Sequence, residues 1–320
     1  MRMKRPASTK RSARVEDRAA KGPAKKSGQD ILHASGPVHD PNLPLITVGV
    51  RFHDFGKMAL LERCLQSIAA QAGVRVHVHL ALQGFSKPEQ ATCRAAALAA
   101  LDGSGFTIEI DSLPNPKRAD LRSRLLNRIV ERHYAQRMAE FLCFIDFDDI
   151  WFQHALQVLV EPLLMADFAV SYADIHCADV YYDDGQTYLR NVKDVFHISQ
   201  KTKRDLLRGN FLPLHSYMFH TGRIDQSLLR YDESLERLED FDVLLAIAAH
   251  HPFSGLHRDR LIGFYNFYQT VEGGLNTTQS VFATAEPDRK DDKWINATKT
   301  VISRHAGTKW QDFWGEEWQI

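Results

Sequence analysis

The sequence lacks any run of about 18 uninterrupted apolar residues, the length a helix needs to cross a bilayer. It also lacks an apolar segment behind its charged opening, Met1-Arg-Met-Lys-Arg-Pro6, which argues against a secretory signal. Cysteine is scarce. Cys64, Cys93, Cys143 and Cys177 are scattered through apolar or helical contexts without Cys-x-x-Cys spacing, so they read as buried, reduced thiols of a cytosolic protein. Histidine is plentiful, at 15 residues, but none stands at zinc-site spacing. Net charge is also missing, with 40 Lys/Arg against 40 Asp/Glu. That balance conceals an asymmetry: residues 1–30 carry ten bases against three acids, Glu16, Asp17 and Asp30, and the rest of the chain is correspondingly acidic. What survives these exclusions is a globular chain of 320 residues, long enough to bury a sizeable core.

Residues 1–42, rich in Lys, Arg, Ala, Ser, Gly and Pro, are expected to be disordered. Their positive charge is diluted by Ala and interrupted by acids. A solubilising tail is expected rather than a nucleic-acid grip, with peripheral contact to a membrane surface left open. From Leu45 the chain alternates. Strands are expected at 45–50, 74–82, 106–110 and 141–145, and helices at 58–71, 88–101 and 121–138. A helix beyond Trp151 to about Met165, a strand at 168–173, a hairpin turning at Asp183-Asp-Gly185 and a strand at 216–220 follow. A helical segment at 243–249, a strand at 261–268 and a helix at 291–305 close the pattern. Such alternation implies an α/β fold, a Rossmann-like, mainly parallel sheet with helices on both faces. Ligands of such sheets bind outside the carboxyl ends of the strands. Arg51–Asp54, Gln83–Ser86 and Asp146–Asp149 all lie there.

The most telling stretch is Phe141-Leu-Cys-Phe-Ile-Asp-Phe-Asp-Asp-Ile-Trp151, a short apolar strand ending in Asp146, Asp148 and Asp149. Three carboxylates beside a hydrophobic strand repel one another and are costly to desolvate unless a cation or hydrogen-bond donors sit among them. Mg²⁺ or Mn²⁺ suits all-oxygen ligands of this kind and bridges protein to diphosphate. A solvated turn with a helix cap satisfies the same residues. Farther along, Glu239, Asp240 and Asp242 open a helix, where acids also complement the helix dipole.

With these pieces in place, the chain resembles the GT-A-fold glycosyltransferases of family 2 over roughly residues 44–268. The likeness rests on the opening strand with Leu60-Leu-Glu-Arg-Cys-Leu-Gln-Ser-Ile68, on Leu125-Leu-Asn127, and on Phe144-Ile-Asp-Phe-Asp-Asp-Ile-Trp151. It rests further on Tyr231-Asp-Glu-Ser-Leu235 leading into Glu239-Asp-Phe-Asp242. The resemblance implies a GT-A catalytic domain over residues 43–270 with a smaller acceptor-side subregion. It implies inverting, metal-assisted transfer of a sugar from a nucleotide-diphosphate donor to the hydroxyl of a glycan or lipid-linked acceptor, in cell-surface polysaccharide or glycolipid synthesis. Asp146 would face the nucleotide, Asp148 with Asp149 would hold Mn²⁺ or Mg²⁺, and Asp240, paired with Glu239, would be the general base. Where the family has an Asp pair after the second strand this chain has Gln83, and where it often has Pro-Thr-Tyr-Asn this chain has Arg51, Phe52, His53 and Asp54. The donor base is therefore left open, with Arg51, His53, Gln83 and Arg122 as the residues expected to meet the nucleotide. His215, His220 and His257 are candidates to approach acceptor or metal.

Two rivals stand beside this reading. A sugar-nucleotide pyrophosphorylase would need a Gly-rich, basic phosphate loop after the first strand, and Arg51–Gly56 supplies one Gly. A non-catalytic GT-A-like protein would bind glycan or a partner through the C-terminal extension, residues 271–320. There Trp310, Trp314 and Trp318 repeat every four residues as one aromatic helix face. Packing on the catalytic domain, a partner subunit or a membrane interface would each occupy such a face.

Overall fold

Apolar β-branched residues gather into the strands that occupy the centre of a ten-stranded sheet. The computed structural model describes residues 31–114, 122–183, 186–269 and 292–307. The strands are β1 (Leu32–His33), β2 (Leu45–Phe52), β3 (Arg75–Gln83), β4 (Thr107–Leu113), β5 (Phe141–Asp146), β6 (Ile150–Trp151), β7 (Val170–Asp183), β8 (Gln186–Lys193), β9 (Tyr217–His220) and β10 (Phe253–Gln269). The helices are α1 (Met58–Ala69), α2 (Lys87–Ala100), α3 (Arg122–Gln136), α4 (Ala155–Met165), α5 (Glu239–Ala248) and α6 (Asp292–His305). The sheet runs β1-β4-β3-β2-β5-β9-β7-β10-β6, with β8 attached to β7. Strands β4, β3, β2 and β5 are mutually parallel, as are β7 and β10, while β9 joins the two groups antiparallel to both β5 and β7.

Burial on both faces explains why the parallel group is so apolar. In β2, Ile46, Val48, Val50 and Phe52 are fully buried. Helix α1 turns Leu61, Cys64, Leu65 and Ile68 onto this layer. α2 starts at a reciprocal cap, in which the Ser86 backbone N–H donates to Glu89 at 2.7 Å and the Glu89 N–H donates back to Ser86 Oγ. α3 contributes Leu125, Leu126, Ile129 and Val130. Gly49 lets β2 meet its neighbours, since a Cβ there would lie 2.6 Å from the Phe144 ring.

The structure departs from the expected pattern in places. Residues 31–42 are not a free tail: β1 pairs antiparallel with β4, and the His39 ring stacks on Phe106 with centroids 4.9 Å apart. This short strand covers the edge that β4 would otherwise expose. Residues 1–30, like Trp310, Trp314 and Trp318, lie outside the described residues. The expected strand at 168–173 and the first arm of the hairpin are one long strand, β7; Asp174 and His176 break the apolar run that would have revealed it. β10 begins at Phe253 rather than 261, because register shifts between Ser254 and Gly263 hide its period from sequence. Trp151 belongs to β6, against Gly263, and the following helix starts only at Ala155. The expected 243–249 segment begins four residues earlier, so Glu239 and Asp240 form the first turn of α5. Among the described residues no helix is long and apolar enough to cross a membrane.

Candidate active site

Parallel pairing fixes the core of the site. Arg51 on β2 stands in register with Asp146 on β5, both at the carboxyl ends of their strands. The Arg51 guanidinium donates to both Asp146 oxygens, at 2.6 and 3.1 Å, and through its remaining nitrogen to Glu239 Oε1 at 3.1 Å. Arg122 stands 3.7 Å from the same Glu239 oxygen. Two acidic segments almost a hundred residues apart in sequence therefore meet on one buried cation. Burial by itself would raise the Asp146 carboxyl, but the charge and hydrogen bonds of Arg51 outweigh it and hold that group at about 2. Glu239 is held low in the same way, against the pull of burial, by Arg122 and Arg51.

The other acids have no such partner among the described residues. Burial and the charge of Asp146 push Asp148 up to about 6. The turn carrying it is pinned through its backbone, not its carboxylate: the Asp148 carbonyl accepts from Arg63 at 2.9 Å, Asn266 at 2.8 Å and Tyr268 at 2.9 Å. Asp149 lies deeper, with Oδ1 accepting the Asn266 N–H at 2.8 Å and Oδ2 3.3 Å from His215 Nδ1. Burial, then Asp148 and Asp146, drive its carboxyl well upward. Burial and Glu239 push Asp240 up to about 6; its contacts are the Phe241 N–H at 2.9 Å and the Asn210 amide at 3.2 Å.

These groups line a single cleft of about 540 Å³. Arg51, His53, Gln83, Arg122, Asp146, Asp148, Asp149, Glu239 and Asp240, the residues singled out in the sequence, all border it. Arg51 sits there as the partner of two acids, 5% exposed, rather than as a group facing open space. Gln83 ends β3 on one wall, and His53 lies edge-on to Phe147 at 5.2 Å. Of the three histidines considered, His215 reaches the site. His220 pairs with Phe141 at the opposite end of β5, and His257 pairs with Glu161 at 2.9 Å. Sequence reasoning missed Lys57, Asn210, Asn266, Tyr268 and Trp294 on the cleft walls. Asn266 and Tyr268 alternate on β10, so their shared face was the available signal. Trp294 carried none, since it arrives on α6, anchored by Arg304 to Asp232 and Asp242 and by His305 Nε2, 3.0 Å from Asp242.

The chemistry of the donor set fits a hard divalent ion. Asp148 presents a half-buried carboxylate raised by burial and by Asp146, with Asp149 beside it, and a cation there would relieve their mutual repulsion.

No family model matches the chain, and no curated protein matches it in sequence. Solved structures do match in fold. The 1–349 portion of S. aureus TarS superposes with a TM-score of 0.55 at 12% identity, covering 82% of this chain and 66% of that one. The same protein in complex with UDP-GlcNAc gives 0.54 at 13% identity, covering 82% and 67%, and its complex with UDP gives 0.54 at 13% identity, covering 82% and 66%. The chain thus spans about two thirds of the 1–349 portion and 40% of the longer TarS structure, and at this identity the likeness is one of architecture, a GT-A-type α/β fold.

Proposed function

We propose that the protein is a nucleotide-sugar glycosyltransferase. It moves a sugar, with inversion, from a nucleotide-diphosphate donor to the hydroxyl of a glycan or lipid-linked acceptor, as in cell-surface polysaccharide or glycolipid synthesis. One observation carries this reading: Arg51 draws Asp146 and Glu239 together, so that Asp148, two positions after Asp146, and Asp240, next to Glu239, border the same cleft. The fold of TarS, solved with UDP-GlcNAc, supports a sugar nucleotide as occupant.

In this reading Gln83 and His53 flank the base, with the Gln83 amide offering both donor and acceptor to its edge. Arg122 and Lys57 meet the diphosphate, and Arg51 holds the two acids in place rather than touching the donor. Asp148, with Asp149 behind it, would hold Mn²⁺ or Mg²⁺. When bound, that ion supplies Lewis-acid stabilisation of charge on the departing diphosphate. Asp240 accepts the acceptor hydroxyl proton as the new C–O bond forms, and its raised pKa makes it a stronger base than an ordinary carboxylate. Charge-matched Glu239 stays ionised beside it and is the second acid of the pair. One displacement from the face opposite the diphosphate inverts the anomeric carbon. The setting we infer is cytoplasmic, at or near the inner face of the membrane.

The test is a thermal-shift screen of UDP-, GDP-, dTDP- and CMP-linked sugars with and without Mn²⁺, since a ligand that binds only the folded state raises its melting temperature. One donor class should shift the wild type with Mn²⁺. Asp148→Asn should lose the metal-dependent part of that binding, while Asp240→Asn should bind donor normally and fail to transfer. Equal donor affinity of wild type and Asp148→Asn by calorimetry refutes the metal assignment.

A further inference from the structure

A second group of potential ligands lies on β7, away from the acids that Arg51 organises. Asp174 and His176 stand two residues apart on a strand and so share a face. Asp194, just past β8, comes back over that face, and one ligand atom from each of the three residues lies within 4.8 Å of the others. Asp174 is only 5% exposed. Its Oδ2 is 3.2 Å from His176 Nε2, but its Oδ1 is buried with no hydrogen-bond partner among the described residues. A buried carboxylate oxygen left unsatisfied is costly, and burial accordingly pushes the Asp174 carboxyl upward.

The third ligand is held by an unusual piece of backbone. Asp194 accepts the His197 N–H at 2.7 Å and stands 3.2 Å from its ring Nδ1. His197 itself is left-handed, with φ of 52°, a conformation that side-chain-bearing residues seldom adopt. Between them Phe196 packs edge-on against Tyr265 at 5.8 Å, and both rings border the catalytic cleft.

We propose that Asp174, His176 and Asp194 form a second divalent-cation site, distinct from the cleft carboxylates, which ties residues 194–197 to β7 and so sets the position of Phe196 in the cleft wall. Two carboxylates with one imidazole suit a borderline ion of the Zn²⁺ class better than Mg²⁺, which prefers oxygen alone. The proposal does not depend on the glycosyltransferase reading, because it concerns only these three residues and the strap they anchor. Sequence spacing conceals the site, since two ligands share a strand face and the third arrives after a hairpin.

The experiment uses the full chain stripped of metal by chelator and dialysis, titrated with ZnCl₂ by calorimetry and followed by melting temperature. To remove the cleft's contribution, the parent is Asp148→Asn/Asp149→Asn. That parent should still bind one Zn²⁺ per chain and melt at a higher temperature with it. Adding His176→Gln should abolish both effects. Adding Asp194→Asn instead should do the same while its amide oxygen keeps the bond from His197 N–H, so a misfolded His176 variant would not leave the question open. Absence of Zn²⁺ binding in the parent, or unchanged binding in a folded ligand variant, overturns the proposal.

Discussion

Two sets of buried acids invite comparison. Glu109 and Asp111 on β4 lie under α3 and are fully answered: Arg132 and Gln136 donate to Glu109, while Arg128 and His79 each stand 3.1 Å from Asp111. Of Asp146, Asp148, Glu239 and Asp240 in the cleft, Asp146 and Glu239 are answered in this way, by Arg51 and Arg122. Asp148 and Asp240 are left with raised pKa values and no salt-bridge cation among the described residues. Both sets are costly to bury. Matched acids on β4 beside Asp148 and Asp240 at the cleft with no cation among the described residues make the pattern expected of groups that meet a ligand.

The largest effect that separates the two sets should come from Asp240→Asn. If Asp240 is the base, kcat falls by about 10²–10⁴ with donor affinity retained, measured by steady-state transfer and calorimetry. An acid on β4 should show nothing comparable, so Asp111→Asn with its partners intact should leave the chemical step unchanged. Next comes the matched cation. Arg51→Met strands Asp146 and Glu239 in a buried site and should cost about 3–5 kcal/mol of stability in denaturant unfolding. Arg132→Met strands Glu109, but Arg132 is itself partly open to solvent, so the loss should be smaller, about 1–3 kcal/mol, with transfer by the folded fraction preserved. Similar transfer defects per folded molecule in both variants would erase the distinction between the sets.

pH sharpens the contrast. Asp240 must be ionised to accept a proton, so kcat/KM should fall about tenfold per pH unit once the pH drops below about 6. Stability moves the opposite way. With its folded pKa raised, Asp240 binds a proton more readily in the native state than in the unfolded one. Its contribution is therefore most unfavourable above about 6, and it eases as pH falls toward the ordinary carboxylate value. In chelator, Asp240→Asn should melt above the wild type at pH 7, with the gap closing near pH 4. A wild-type rate that stays flat between pH 5 and 7 would remove Asp240 from the role.

How much of this could be read from sequence follows the same divide. β2, β3 and β5 declared themselves because strands buried on both faces must be apolar and β-branched, and their shared carboxyl ends then placed Arg51, Gln83 and Asp146 together. The second half of the sheet did not. β7 is interrupted by Asp174 and His176, and β10 is bulged, so neither shows a clean period of two. The role of Arg51 was out of reach as well. An arginine at a strand end is as well suited to phosphate as to carboxylate, and only the register with Asp146 and the arrival of Glu239 decide between them. The covering of β4 by β1 was hidden for a simpler reason, since two paired residues leave no periodicity to detect.

The smallest expected effect concerns the wall that sequence did not foresee. Trp294 borders the cleft from α6, a helix fastened to α5 through Asp242. If Asp240 is the base, an aromatic ring in the same cleft is suited to the apolar face of an acceptor sugar, a contact worth about 0.5–1.5 kcal/mol if it matches an aromatic pair. Trp294→Ala should therefore raise the acceptor KM about two- to tenfold while leaving donor affinity alone. It should move kcat far less than Asp240→Asn. Were donor affinity to fall and acceptor KM to stay, α6 would belong to the nucleotide side of the cleft. An acceptor for Asp240 would then have to be sought among the other lining residues, such as Asn210 and Leu212.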